Sequence, residues 1–373
     1  MQIGIRWTFR QVMIATALPS ALAATQLPEA QVAELWNELP RAEDSLVFLQ
    51  NPVGATRFDD GTIVVADGMA QTVWTFDADG AFLRALGRPG EGPNEFSTPS
   101  WLGRCGPESA LVWDFNLMRF TEVHPSRGIV DQRRLQDRTD LPRPPARLAC
   151  SRHGYILAHL RLTGERIEGR VTSILTAPLY LVGPSGDARL IDERAPIIHW
   201  VNEDRTYLPV SPTTQFAVAD SLVFLARSDS ATVHLLDLDG AASGVWALDV
   251  SRRPPRDAHI RADAETLTEF VSDPVGRAEI IERYLRGERP DHLPGFSGLR
   301  VDPGGRLWIV ASVPGDAQTV LHCYGTRGRF QGAVTVPAEL EVYEVGTDYV
   351  LGSRIDPRTL EPKILLYGFR GSC

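Results

Sequence analysis

The sequence predicts an all-β fold built from a repeated four-stranded unit, and three observations carry that prediction. First, one short apolar strand recurs: GTIVVAD from Gly61, SALVWD from Ser109, HGYILAH from His153, DSLVFLA from Asp220, GRLWIVA from Gly305 and DYVLGS from Asp348. Their first large apolar residues are Ile63, Leu111, Tyr155, Leu222, Leu307 and Tyr349. Three of the five intervals lie near the ~40–45 residues of a four-stranded propeller blade. Second, each such strand leads into a hairpin, from TVWTFDADGAFLRAL in the first copy to ILLYGFRGSC in the last. The turns are rich in Gly, Asp, Pro and Ser, which suit hairpin geometry. Third, the last copy stops at its turn, while DSLVFLQ at 44–50 has no partner of its own. The expected architecture is a six-bladed β-propeller whose N-terminal strand closes the last blade. The expected pairing is Ser45–Gln50 with Ile364–Gly368, which ties the chain ends together and protects an edge.

The two long intervals call for insertions. Residues 160–176 are polar and read as an extended hairpin or loop in blade 3. Residues at about 255–289 read as helical: Leu267, Phe270 and Val271, then Ile280, Ile281, Tyr284 and Leu285 fall at i, i+3, i+4 spacing. A seventh blade would fit the length, but the helical period and the lack of β-branched alternation argue against one.

The chain has 373 residues, 43% hydrophobic and 23% charged, with a formal charge of −9. That is ordinary globular material. An acidic chain without a Lys/Arg cluster is a poor match for nucleic acid, whose phosphates dominate affinity. At the N-terminus, Arg6 and Arg10 precede an apolar run from Val12 to Leu22, then Ala21-Leu22-Ala23. This is the pattern of a signal peptide and is too short to span a membrane. Residues 1–23 are therefore expected to be removed on export to the periplasm or beyond, 24–44 to form a linker and 45–373 the propeller. Four cysteines suit an oxidising compartment. Cys105 and Cys150 end the similar segments WLGRC and ARLAC, which favours that pair and leaves Cys323 with Cys373.

The stretch VADGMAQTVWTFDADGAFLRALGRPGEGPNEF at 65–96 resembles the blade signature of NHL-repeat propellers, in particular exported bacterial ones. LRVDPGGRLWIV at 299–310 resembles another blade opening. The resemblance implies a six-bladed ring and a turn-capping role for the aspartate that ends the recurring strand.

Few motifs point to chemistry. GRPGEGP at 87–93 has the glycines of a phosphate loop but no lysine and no helix after it, so it reads as a crossover between blades, with Phe96 packing there. Asp77-Ala78-Asp79-Gly80 and Asp237-Leu238-Asp239-Gly240 begin like calcium loops but lack the distal ligands. Asp67, Asp114 and His159 end comparable strands and are the candidate metal ligands, with calcium the cation to consider. No Gly-x-Ser-x-Gly or His-Glu-x-x-His occurs.

The leading expectation is a non-enzymatic exported binding module for a protein, glycan or small anionic ligand. Its candidate contacts are Trp101, Arg104, Arg147, Trp200, Tyr207 and Arg300, the three arginines lying on or beside innermost strands. The alternative is a metal-dependent hydrolase or lyase on the same scaffold. A third reading is a structural envelope protein with Phe270 and Tyr284 turned toward a partner.

Overall fold

The structure is a computed structural model. It describes residues 30–370 apart from 41–46, 136–144, 146, 152–153, 159–160, 168–169, 177, 184–186, 193–195, 198–209, 251, 270 and 288. Among the described residues the strands form six radial antiparallel sheets. Their innermost strands are Pro52–Arg57, Pro99–Arg104, Arg147–Ser151, Thr214–Val218, Gly298–Val301 and Glu341–Val345. Each touches the next, and the sixth touches the first, so the ring closes.

The recurring apolar run is the second strand of each blade. Ile63–Asp67 and Ala110–Asp114 are buried at every position. Successive side chains of a strand point to opposite faces, and here both faces are covered by neighbouring blades, so the run is apolar up to its closing aspartate.

Each junction holds one apolar cluster. Phe58, Val64 and Phe96 meet Leu102 and Val112 between blades 1 and 2. Leu111, Trp113 and Phe120 meet Val182 between blades 2 and 3. Leu181 and Ile191 meet Val223; Phe224 and Leu235 meet Phe296 and Leu307; Trp308 and Val334 meet Val350 and Leu365. Leu351 and Ile364 meet Ile63 and Phe76 across the seam between the last blade and the first.

The closing strand is Glu34–Leu39, not Ser45–Gln50. It pairs antiparallel with Pro362–Gly368, with Leu39 opposite Ile364 and Glu34 opposite Gly368. Just before it, Gln31–Val32 adds a parallel edge to blade 5. Part of the expected linker is therefore strand, and the N-terminal segment straps blades 5 and 6 together. Chain reach explains the correction. The outer edge of a blade lies about three strand spacings, ~14 Å, from its inner edge. Gln50 is two residues from Pro52, the start of blade 1, a reach of ~7 Å. Val47 and Leu49 are instead buried in the apolar cluster at the seam.

The expected helices are α1, Asp257–Leu267, and α2, Pro274–Arg286. Asp273 caps α2 by accepting from Val275 and Gly276 N–H, and Pro274 opens it. Ile260, Val210, Leu293 and Val313 form the core beneath the pair, and Tyr284 packs against it. Tyr284 is thus turned inward rather than toward a partner; Phe270 lies outside the described residues. In blade 3 the insertion is a hairpin, Arg161–Ile167 with Arg170–Thr176, extended by Pro196–Ile197 into a separate sheet.

Candidate ligand-binding mouth

Both insertions leave the ring on one face. In an antiparallel four-stranded blade, the turn from second to third strand and the crossover to the next blade emerge on the same side. The blade 3 hairpin is a second-to-third connection, and the helices are a crossover from blade 4 to blade 5. The inner strands all begin on this face, so their first residues surround the mouth of the shaft.

On the same face, Asp67 and Asp114 act as turn caps. Asp67 is fully buried. Its carboxylate accepts from the backbone N–H of Gln50 at 2.7 Å, Asn51 at 3.0 Å, Met69 at 3.1 Å and Ala70 at 2.9 Å. Asp114 accepts likewise from Ser97 at 2.7 Å, Thr98 at 3.1 Å and Leu117 at 3.1 Å. Each carboxylate locks a turn to the start of an inner strand, and its oxygens face N–H donors. His159 lies outside the described residues, and among the described residues no three His, Cys, Asp or Glu side chains could jointly hold a metal ion.

The GRPGEGP stretch is a crossover. Phe96 is fully buried between blades 1 and 2. Gly87 has φ +77, and a Cβ there would lie 2.4 Å from the Phe96 ring. Glu95 accepts from Gly92 N–H and from Arg88 Nε, while Arg119 donates to the Gly92 and Glu95 carbonyls. Arg119 is thereby drawn out of water, which lowers its pKa. The two Asp-x-Asp-Gly stretches are hairpin turns: Asp77 accepts from Asp79 and Ala81 N–H, and Asp237 from Asp239 and Ala241 N–H.

The three candidate arginines sit on inner strands, and each reaches a carbonyl on a neighbouring blade. Arg104 of blade 2 donates to Arg57 O at 3.1 Å and pairs with Asp59 at 2.9 Å in blade 1. Arg147 of blade 3 donates to Thr214 O at 3.3 Å in blade 4. Arg300 of blade 5 donates to Tyr343 O at 3.0 Å and Val342 O at 2.6 Å in blade 6. An inner strand has a free edge toward the shaft, and these guanidinium groups satisfy some of its carbonyls. Burial lowers the pKa of Arg147. Burial lowers that of Arg300 too, with the nearby Arg147 adding to the effect and Glu341 opposing it.

Trp101 lies over Gly103 of its own strand and packs into the cluster between blades 2 and 3. Trp200 and Tyr207 lie outside the described residues. Cys105 and Cys150 form the expected disulfide, while Cys373 lies outside the described residues.

Sequence reasoning missed Glu344. This half-buried glutamate on the inner strand of blade 6 accepts from Thr56 Oγ1 and from Arg57 N–H in blade 1, and from Tyr349 O–H. Burial pushes its pKa up against the pull of these donors. Burial and Glu344 together raise that of the Tyr349 hydroxyl. The alternation of acids in ELEVYEVG was the available signal, since a charged residue inside an inner strand has to find a partner across a junction.

The family model DUF5128, described as a 6-bladed beta-propeller, matches residues 47–100. No curated protein matches the chain. Among solved structures, a Bacteroides fragilis protein whose name assigns it to export is 12% identical, with a TM-score of 0.51 over 91% of this chain and 96% of its own. A DUF4221 family member from Bacteroides vulgatus is 11% identical, with a TM-score of 0.52 over 92% of this chain and 98% of its own. These likenesses are of fold.

Proposed function

We propose that the chain is an exported binding protein whose site is the mouth of the ring on the insertion-bearing face, and that it takes a small anionic ligand. Arg147 carries this reading. It stands first on its inner strand, and a guanidinium has five N–H donors. Among the described residues one of these is spent, on a carbonyl at 3.3 Å. A partly desolvated cation with spare donors is suited to hold a carboxylate or phosphate in two-point fashion. Export is supported by the N-terminal pattern of residues 1–23 and by the Cys105–Cys150 disulfide. The blades are taken as NHL-type on the motif at 65–96.

The test is calorimetric titration of residues 24–373 with glutarate and with phosphate at low salt. Saturable binding, weakened at least tenfold by Arg147→Gln and by raised salt, is expected. Equal binding by wild type and Arg147→Gln, or none by either, would sink the proposal.

A further inference from the structure

In a ring of six, blades 3 and 6 stand on opposite sides of the shaft. Arg147 is the first residue of the inner strand of blade 3, and Glu341 the first of blade 6. A cation and an anion are therefore set at one level of the same mouth, on opposite walls.

Among the described residues neither is consumed by its surroundings. Arg147 uses one donor on Thr214 O. Glu341 is exposed, and its hydrogen-bond contact is with the Tyr343 hydroxyl at 3.3 Å. That hydroxyl has one proton, which is better placed toward Pro52 O at 2.8 Å. Arg300 is near enough to feel both charges, yet its N–H groups are aimed at the carbonyls of Leu299, Val342 and Tyr343. A plain anion bound at Arg147 would meet the field of Glu341 as repulsion. A ligand with an ammonium at its far end would turn that repulsion into attraction.

Resting on the reading of the mouth as an anion site, we infer that the ligand carries both signs. It is a small amino carboxylate, with its carboxylate on Arg147 and its ammonium on Glu341. Discrimination of this kind comes from a group that repels the wrong ligand as much as from one that attracts the right one.

The experiment titrates residues 24–373 with three five-carbon probes: 5-aminopentanoate, glutarate and pentylamine. The expected result is that 5-aminopentanoate binds at least tenfold more tightly than either. Glu341→Gln should bring it down to the level of glutarate, and Arg147→Gln should weaken both carboxylates. Circular dichroism and melting of each variant verify folding. Glutarate binding as tightly as 5-aminopentanoate, or a preference untouched by Glu341→Gln, overturns this inference and leaves the anion site standing. Failure of both carboxylates to bind, or tightest binding of pentylamine, overturns the anion site as well.

Discussion

Cys105, just after the inner strand of blade 2, and Cys150, on the inner strand of blade 3, form a disulfide, with Cα atoms 5.2 Å apart and a sequence separation of 45. Four of the other five junctions carry polar ties among the described inner-strand residues: arginines between blades 1 and 2, 3 and 4, and 5 and 6, and Glu344 between 6 and 1. Closing a loop of that length removes unfolded-state freedom worth about 4 kcal/mol, and real cross-links deliver about 2–4 kcal/mol. The double variant Cys105→Ala/Cys150→Ala should therefore lose about 2–4 kcal/mol in urea unfolding while keeping its circular dichroism spectrum. Unchanged stability would mean that the cross-link contributes nothing to the ring.

The closing strand makes a prediction of position. Leu39 is fully buried opposite Ile364, whereas Phe48 is 58% exposed. Leu39→Ala should cost about 2–5 kcal/mol. Phe48→Ala should stay within about 0.5 kcal/mol of wild type. The reverse order would restore the pairing of Ser45–Gln50 as the closure.

Asp67 should behave as a cap and not as a ligand. Its carboxylate faces four backbone N–H groups, and Asp67→Ala leaves those buried donors without a partner, at a cost of about 1–3 kcal/mol. Melting with calcium and then with chelator should give the same midpoint. A calcium-dependent rise that Asp67→Asn abolishes would return Asp67 and Asp114 to the metal reading.

Glu344 should make the seam between blades 6 and 1 sensitive to pH. Its folded pKa is raised, chiefly by burial. The groups set against it are Thr56, the Arg57 backbone N–H, Tyr349 and, by charge, Arg104. A carboxyl that holds its proton more tightly when folded than the unfolded value of about 4.3 favours the fold at low pH. That contribution is lost as pH rises from the unfolded value through the folded one. The wild-type melting temperature should thus fall from pH 5 to pH 8 by more than that of Glu344→Gln, which cannot ionise there. Parallel profiles for the two proteins would rule out Glu344 as the titrating group.

The ring was readable from the chain because its second strands are covered on both faces. Ile63–Ala66, Ala110–Trp113 and Leu307–Ala311 are therefore apolar and stand out against the turns. The closing strand was not readable. In ELWNEL only Leu39 is fully buried, since an outermost strand covers little, so its pattern is weaker than the seam-filling Val47 and Leu49 that mimic a strand. The candidate arginines were found because they lie beside apolar inner-strand residues. Their use on carbonyls of a neighbouring blade could not be found, because it depends on a junction between segments far apart in sequence. Glu344 escaped for the same reason.

The strap formed by Gln31–Val32 and Glu34–Leu39 also sets an order of events. Blade 6 is completed by nearly the first and the last described strands of the chain, Glu34 opposite Gly368. A polypeptide emerging from a ribosome or a translocon N-terminus first carries its latch from the beginning but has nothing to fasten it to until the final hairpin has emerged. Until then the chain is an open arc with a bare edge at either end, and a truncated product has no route to a closed circle.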